Sequence, residues 1–179
     1  MQDILKCLAN GDRDAFEKIV EIYEKKLLVI ACSRLKDPSL AYDVVQETFI
    51  SLYLNAKKIK DYNKLKSWLI VVLMNNCNRL NKRKEYNELS FEDANLDLVL
   101  HNNNEDFNKI FSDIDFFNCI NFLNEDERTI LALFYSNDYT INEIATILKM
   151  NISTIKSKIS RAKAKIKNHL GGDNNEYRW

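Results

Sequence analysis

The sequence predicts an all-α protein: two small helical domains, an N-terminal helical bundle and a C-terminal helix-turn-helix, joined by a flexible acidic linker. Three observations carry this. Only three glycines and one proline occur in 179 residues, and a chain so poor in helix-interrupting residues favours helices. Apolar residues recur three and four apart over long segments, which is the helical period. Charge is also partitioned. The 26 basic and 26 acidic residues cancel, yet nine bases and one acid lie between Asn55 and Lys84, and nine acids and one base between Glu85 and Phe117. Seven bases and one acid follow between Thr140 and Leu170. Two cationic surfaces separated by an anionic stretch point to a polyanionic partner, which the net charge conceals.

The first helix is expected over Asp14–Leu35, with Phe16, Ile19, Val20, Tyr23, Leu27, Ile30 and Ala31 on one side and Asp12 or Asp14 as its cap. Asp37 followed by Pro38 marks the next start, because proline at the first helical position sacrifices no hydrogen bond. Along that helix Ala41, Val44, Val45, Phe49 and Leu52 form the inward stripe. Asp43, Gln46, Glu47 and Ile50 face away. The stretch "KKIKDYNK" reads as a loop, and a basic-ended helix follows from about Leu65 to Lys84, with Leu65, Leu69, Leu73, Cys77 and Leu80 inward.

These spacings divide the chain into an N-terminal domain (1–86), an acidic Asn-rich linker (87–115), a C-terminal domain (116–170) and a disordered tail (171–179). In the C-terminal domain Asn124 can cap "EDERTILALFY". Thr140 and Glu143 have capping-box spacing before "INEIATILKM". "NIST" then turns the chain into "IKSKISRAKAKIK". This last helix has Ile155, Ile159, Ala162 and Ile166 facing inward and Ser157, Ser160, Arg161 and lysines facing out.

A second short helix with six basic residues and no acid between Asn151 and Lys167 follows the logic of a helix-turn-helix, whose second helix enters the major groove. A solvated surface helix usually alternates Glu with Lys four residues apart. This one does not, so its lysines are expected to lack local partners and to meet phosphates. The basic stretch 57–84 also carries Tyr62 and Trp68, with Tyr53 just upstream. Interleaved cations and aromatic rings suit single-stranded nucleic acid.

Other chemistries find no support. The four cysteines, Cys7, Cys32, Cys77 and Cys119, have no metal-ligand spacing and read as buried thiols in a reducing compartment. No catalytic constellation stands out. The N-terminus does not read as a signal peptide, and no apolar run approaches the ~20 residues that span a bilayer. A cytoplasmic protein is expected.

Three stretches carry a family resemblance. "SLAYDVVQETFISLY", "WLIVVLMNNCNRLNKRK" and "LNEDERTILALFYSNDYTINEIATILKMNISTIKSKISRAKAKI" resemble the bacterial RNA polymerase sigma factors, most closely the extracytoplasmic-function class. The matching features are the Asp43-Val44-Val45-Gln46-Glu47 run, the Trp68–Lys84 helix with Asn75 and Arg79, and the Glu143-Ile144-Ala145 and Thr154–Ala162 segments. The resemblance implies a promoter-specificity factor with no cofactor and no enzymatic activity of its own. Its partners would be core RNA polymerase (clamp and flap regions), promoter DNA and an inhibitory anti-sigma factor.

Asp43, Gln46, Glu47 and Ile50 would contact polymerase. Lys60, Tyr62, Asn63, Lys64, Trp68, Asn75, Arg79, Lys82 and Arg83 would engage the melted non-template strand of the −10 element. Thr154, Lys156, Ser157, Lys158, Ser160, Arg161 and Lys163 would read the −35 duplex. Positions 156, 158 and 163 hold lysine where the family has arginine. Lysine loses the bidentate fork for guanine, so base readout is expected to rest on Arg161 and on DNA shape. The acidic linker would thread polymerase near the path of the RNA. A rival reading, an autonomous helix-turn-helix regulator, has no need for the Asp43–Glu47 run or the basic 79–84 end.

Overall fold

The computed structural model describes residues 2–35, 37–90, 120–135 and 139–169, with the side chains of all but residues 2, 63 and 84–90. Among the described residues every regular element is helical. Helix α1 (Gln2–Ala9) buries Leu5 and Leu8 and leaves Cys7 on its outer side. The expectation that the cysteines are buried therefore fails at Cys7. It holds for Cys32 and Cys77, whose thiols burial pushes up to about 12. Cys119 lies outside the described residues.

Gly11, at φ 85°, turns the chain into α2 (Arg13–Leu35). Asp12 caps α2 by accepting from the Ala15 amide at 3.1 Å. Asp37 does the same for α3 (Pro38–Asn55), accepting from the Leu40 amide at 3.1 Å, with Pro38 in the first turn. Both caps satisfy amides that no preceding turn can reach. A 3-10 turn (Ala56–Lys58) leads to α4 (Tyr62–Ser90). Tyr62, Asn63 and Lys64, read above as loop, form the first turn of α4, and the Lys64 amide already donates to the Asp61 carbonyl at 3.0 Å. The last turn of α4 falls within the stretch read as linker. The remainder of that linker and the tail lie outside the described residues.

The C-terminal unit contains α5 (Glu125–Tyr135), α6 (Ile141–Leu148) and α7 (Ile152–His169). Asn124 and Glu127 cap each other reciprocally: the Glu127 amide donates to Asn124 Oδ1 at 2.9 Å, and the Asn124 amide to Glu127 Oε2 at 3.3 Å. Thr140 and Glu143 form the capping box expected of their spacing. Lys149, at φ 54°, ends α6 in the left-handed region, and the Met150 amide reaches back to the Ala145 carbonyl at 2.9 Å. This closure sets the tight turn between α6 and α7.

One hydrophobic core runs through both units. Leu27, Leu28 and Ile30 of α2 and Leu69 and Leu73 of α4 share it with Ile130 and Leu133 of α5, Ile144 of α6 and Ile155 of α7. Each such side chain contributes about 1.5–3 kcal/mol when removed from water, so the units are held together by more than their connection. Of the inward stripe of α7, Ile155 and Ile159 join this core. Ala162 and Ile166 instead pack with Ile120, Leu123 and Leu131 in a second cluster.

Candidate nucleic-acid interface

Two helices, α4 and α7, carry the cationic faces that the sequence singles out. On α4, Lys64, Trp68, Val71, Asn75, Arg79 and Lys82 are spaced four, three, four, four and three apart, which is a single face at 3.6 residues per turn. The opposite face is fully buried at Leu65, Leu69, Leu73 and Cys77. Lys64, Asn75, Arg79 and Lys82 are exposed, and Trp68 is half-buried against the core. Arg83 is exposed on the flank of that stripe. Lys60 is exposed just before the helix, and Tyr62 is half-buried at its start. The side chain of Asn63 lies outside the described residues. Val71, 42% exposed, is an apolar member of this face, carrying neither the charge of Lys64 and Arg79 nor the ring of Trp68. Helical spacing alone would have found it.

On α3, Asp43, Gln46, Glu47 and Ile50 are all exposed, as their spacing requires. Ile50 is 58% and Leu54, one turn on, 74% exposed, so an apolar strip continues the acidic one. Tyr53 stands beside it, braced edge-on by the Phe16 ring at 5.6 Å. The outward faces of α3 and α4 adjoin. Arg79 forms an ion pair with Glu47, and Asn76 donates to Thr48 at 3.3 Å. The residue expected to touch polymerase and one expected to touch DNA are thus direct neighbours.

On α7 the outward side holds Ser157, Ser160 and Arg161, with Lys156 next to them, all exposed. Arg161 Nε lies 3.3 Å from its own helix's Ser157 carbonyl, which leaves the guanidinium fork over the outer face. Thr154 is half-buried at the helix start. Lys163 is exposed but leans over the rings of Phe134 and Tyr135 at 5.7 Å from each centroid.

The lysines of this helix have no acid within it, as expected, but two of them find partners on another helix. Lys158 Nζ is 3.1 Å from Asp126, and Lys165 Nζ is 2.8 Å from both oxygens of Glu127. The two lysines are seven residues apart, on the flank of α7 that borders its buried stripe, and so face the first turn of α5. Lys158 is therefore half-buried in an intramolecular ion pair rather than offered to DNA. Acids absent from α7 itself are supplied by another helix.

The acids at 125–127 divide their attention. Glu125 pairs with Arg34 of α2, Asp126 lies between Arg34 and Lys158, and Glu127 holds Lys165 while capping α5. Arg128, three residues into α5, is buried. Its Nε donates to the Ser33 carbonyl at 2.9 Å and its Nη1 to the Leu123 carbonyl at 2.6 Å. Burial depresses its pKa, opposed by the neighbouring Glu125 charge. Glu143 is held below the usual carboxylate range, chiefly by the Thr140 backbone amide and then by its hydroxyl.

No group of three or more candidate metal ligands occurs among the described residues, and no described helix is long and apolar enough to cross a membrane. The arrangement offers two cationic faces and one mixed acidic–apolar face.

Comparison with known proteins matches these same regions. Residues 19–85 match the family model described as Sigma-70 region 2, and residues 115–166 match Sigma-70, region 4. The protein named ECF RNA polymerase sigma factor SigW, from Bacillus subtilis (strain 168), is 27% identical over 181 residues, covering 93% of this chain and 94% of that one. Two solved structures share the fold. CnrH in complex with the cytosolic domain of CnrY has a TM-score of 0.64 at 20% identity, covering 97% of this chain and 98% of that one. RpoE in complex with the anti-sigma factor NepR, from Bartonella quintana, has a TM-score of 0.66 at 23% identity, covering 89% and 98%.

Proposed function

The chain belongs to the sigma-70 family of RNA polymerase sigma factors, within the extracytoplasmic-function class, and from that premise we propose a division of labour among its three outward faces. The α3 face, with Asp43, Gln46, Glu47 and Ile50, docks on the clamp of core polymerase. The α4 face, with Lys60, Tyr62, Asn63 and Lys64 at its start and Trp68, Asn75, Arg79, Lys82 and Arg83 along it, takes the melted non-template strand of the −10 element. The α7 face reads the −35 duplex through Lys156, Ser157, Ser160 and Arg161, with Thr154 and Lys163 at its margins and Lys158 as support.

The observation that carries this reading is the adjacency of the α3 and α4 faces across the Glu47–Arg79 pair. A polymerase seated on one face would lie beside DNA on the other, so strand capture and docking happen at one place. Cations track phosphates, and the half-buried Trp68 ring is the aromatic group on this face for a base to stack on. The protein acts without chemistry of its own, in the cytoplasm, where polymerase works. Because two structural relatives were solved with protein partners, one of them named an anti-sigma factor, an inhibitory protein partner belongs to the proposal.

Reconstitution tests it. Purified chain added to core polymerase is expected to redirect transcription of a genomic fragment library to a small set of start sites sharing one −10/−35 pattern. Glu47→Ala combined with Ile50→Asp should abolish association with polymerase. An unaltered set of start sites, or tight sequence-specific duplex binding with no effect on polymerase, would refute the proposal and favour an autonomous regulator.

A further inference from the structure

We propose that Asp126, in the first turn of α5, holds Lys158 of α7 off the DNA backbone and so limits how many phosphates α7 can neutralise. Asp126 is thereby a positioning residue: it acts on the duplex only through Lys158. This rests on the reading of α7 as the −35 helix, and adds a residue outside that helix that sets its affinity.

Thr154, Lys158, Arg161 and Lys165 are spaced four, three and four apart, so they line one edge of α7. The three cations of that edge do not act alike. Arg161 stays exposed, its Nε 3.3 Å from the Ser157 carbonyl. Lys165, one turn further on, gives its ammonium to both oxygens of Glu127 at 2.8 Å. Lys158, one turn before Arg161, gives its ammonium to Asp126 Oδ2 at 3.1 Å. An edge with three cations in its sequence therefore offers a duplex only the middle one.

The two pairs differ in what else the acid does. Glu127 takes part in the reciprocal cap with Asn124 and its side chain is 4% exposed, so it belongs to the fold. Asp126 instead stands at the seam between α2 and α5, its side chain 38% exposed, with Arg34 Nη1 at 3.5 Å as its second cation. The Lys158 side chain is 20% exposed. To reach a phosphate, its ammonium has to leave Asp126, which sets that carboxylate near another anion, and like charges oppose the move. A lysine stem is long and flexible. With Asp126 made neutral, the same ammonium can swing along the edge to stand beside Arg161. Phosphate contacts carry no sequence information, so holding one back lowers affinity for every duplex alike and leaves selection to the groove-facing residues.

Asp126→Asn, Lys158→Met and the double variant test this, after circular dichroism confirms native helicity. Each is reconstituted with core polymerase and titrated over a salt series on a promoter fragment recovered from the redirected start sites. The same fragment, cut back to remove its −35 half, is the control. Asp126→Asn should bind the whole fragment roughly eightfold more tightly at about 0.1 M salt. It should also steepen the slope of log K against log salt by about 0.9, the increment of one added phosphate contact. In the Lys158→Met background the same substitution should leave the slope unchanged, and on the cut fragment neither effect should appear. Asp126→Glu, which keeps the charge, should retain the wild-type slope.

Asp126→Asn also removes the charge facing Arg34. The Lys158→Met background carries that loss equally, so the difference between the two backgrounds reports Lys158 alone. An equal gain in both would overturn the restraint, because the carboxylate would then act through its charge on the whole surface. An unchanged slope in Asp126→Asn would overturn it as well. Wild-type holoenzyme that binds the whole and cut fragments equally would instead refute the duplex reading of α7, and the restraint falls with it. A chain that redirects no transcription would refute the promoter role before either.

Discussion

Helices α4 and α7 are the two cationic rods of this protein, and they place their charge differently. On α7, two of the lysines are drawn back onto α5 by Asp126 and Glu127, and the free cations are concentrated near Lys156 and Arg161. On α4 the charge lies along one outward stripe, where Arg79 pairs with Glu47 of the neighbouring helix. The lesson concerns position around the helix axis. Cations that border a buried stripe are within reach of acids on the helix beneath, whereas those opposite it remain available. Counting charges along the sequence cannot separate the two.

The contrast can be pressed hardest with arginines. Arg128 and Arg161 lie in the same unit, one buried across the seam and one exposed on the outer face. Arg128→Met should cost about 3 kcal/mol in urea unfolding, because it strands two buried carbonyls that now accept charged hydrogen bonds. Arg161→Ala should stay within about 0.5 kcal/mol of wild type. Equal losses would show that the division between folding and binding residues is misdrawn.

Duplex titrations as a function of salt sharpen the division within α7 itself. Lys156→Ala and Arg161→Ala should each lower affinity and reduce the slope of log K against log salt by about 1. Lys165→Ala should leave the slope unchanged, since that ammonium already neutralises Glu127. A slope change at Lys165 equal to that at Arg161 would break the comparison.

The smallest effect concerns the α6 cap. Thr140→Ala should destabilise by about 1 kcal/mol. The folded Glu143 carboxyl has a lowered pKa, so its contribution is fully present above the usual carboxylate range. It is lost as pH falls through the folded value. Stability of the wild type should therefore decline more steeply between neutral and acid pH than that of Thr140→Ala, measured by urea midpoints across the range.

How far the sequence could be read follows the same geometry. Asp37-Pro38, Thr140–Glu143 and the inward stripe of α4 are local features, decided by residues within one or two turns, and each is where the spacing put it. The partners of Lys158 and Lys165 sit 32 and 38 residues away in sequence, and no periodicity announces them. The bridge made by Arg128 was not legible, because its acceptors are backbone carbonyls, which any residue carries. The start of α4 was missed by one turn since "DYN" is as common in loops as in first turns. The Glu47–Arg79 contact needed the antiparallel register of two helices, which only packing supplies.

The left-handed Lys149 has an implication for engineering. A non-glycine residue in that conformation costs on the order of 1 kcal/mol, so here the tight bend is enforced by the helices on either side rather than encoded by the residue within it. Lys149→Gly should make the bend intrinsic and raise the melting temperature without moving any groove-facing group. The backbone gain would exceed what the lost ammonium contributes at the helix end, leaving a sturdier scaffold for selecting altered binding preferences.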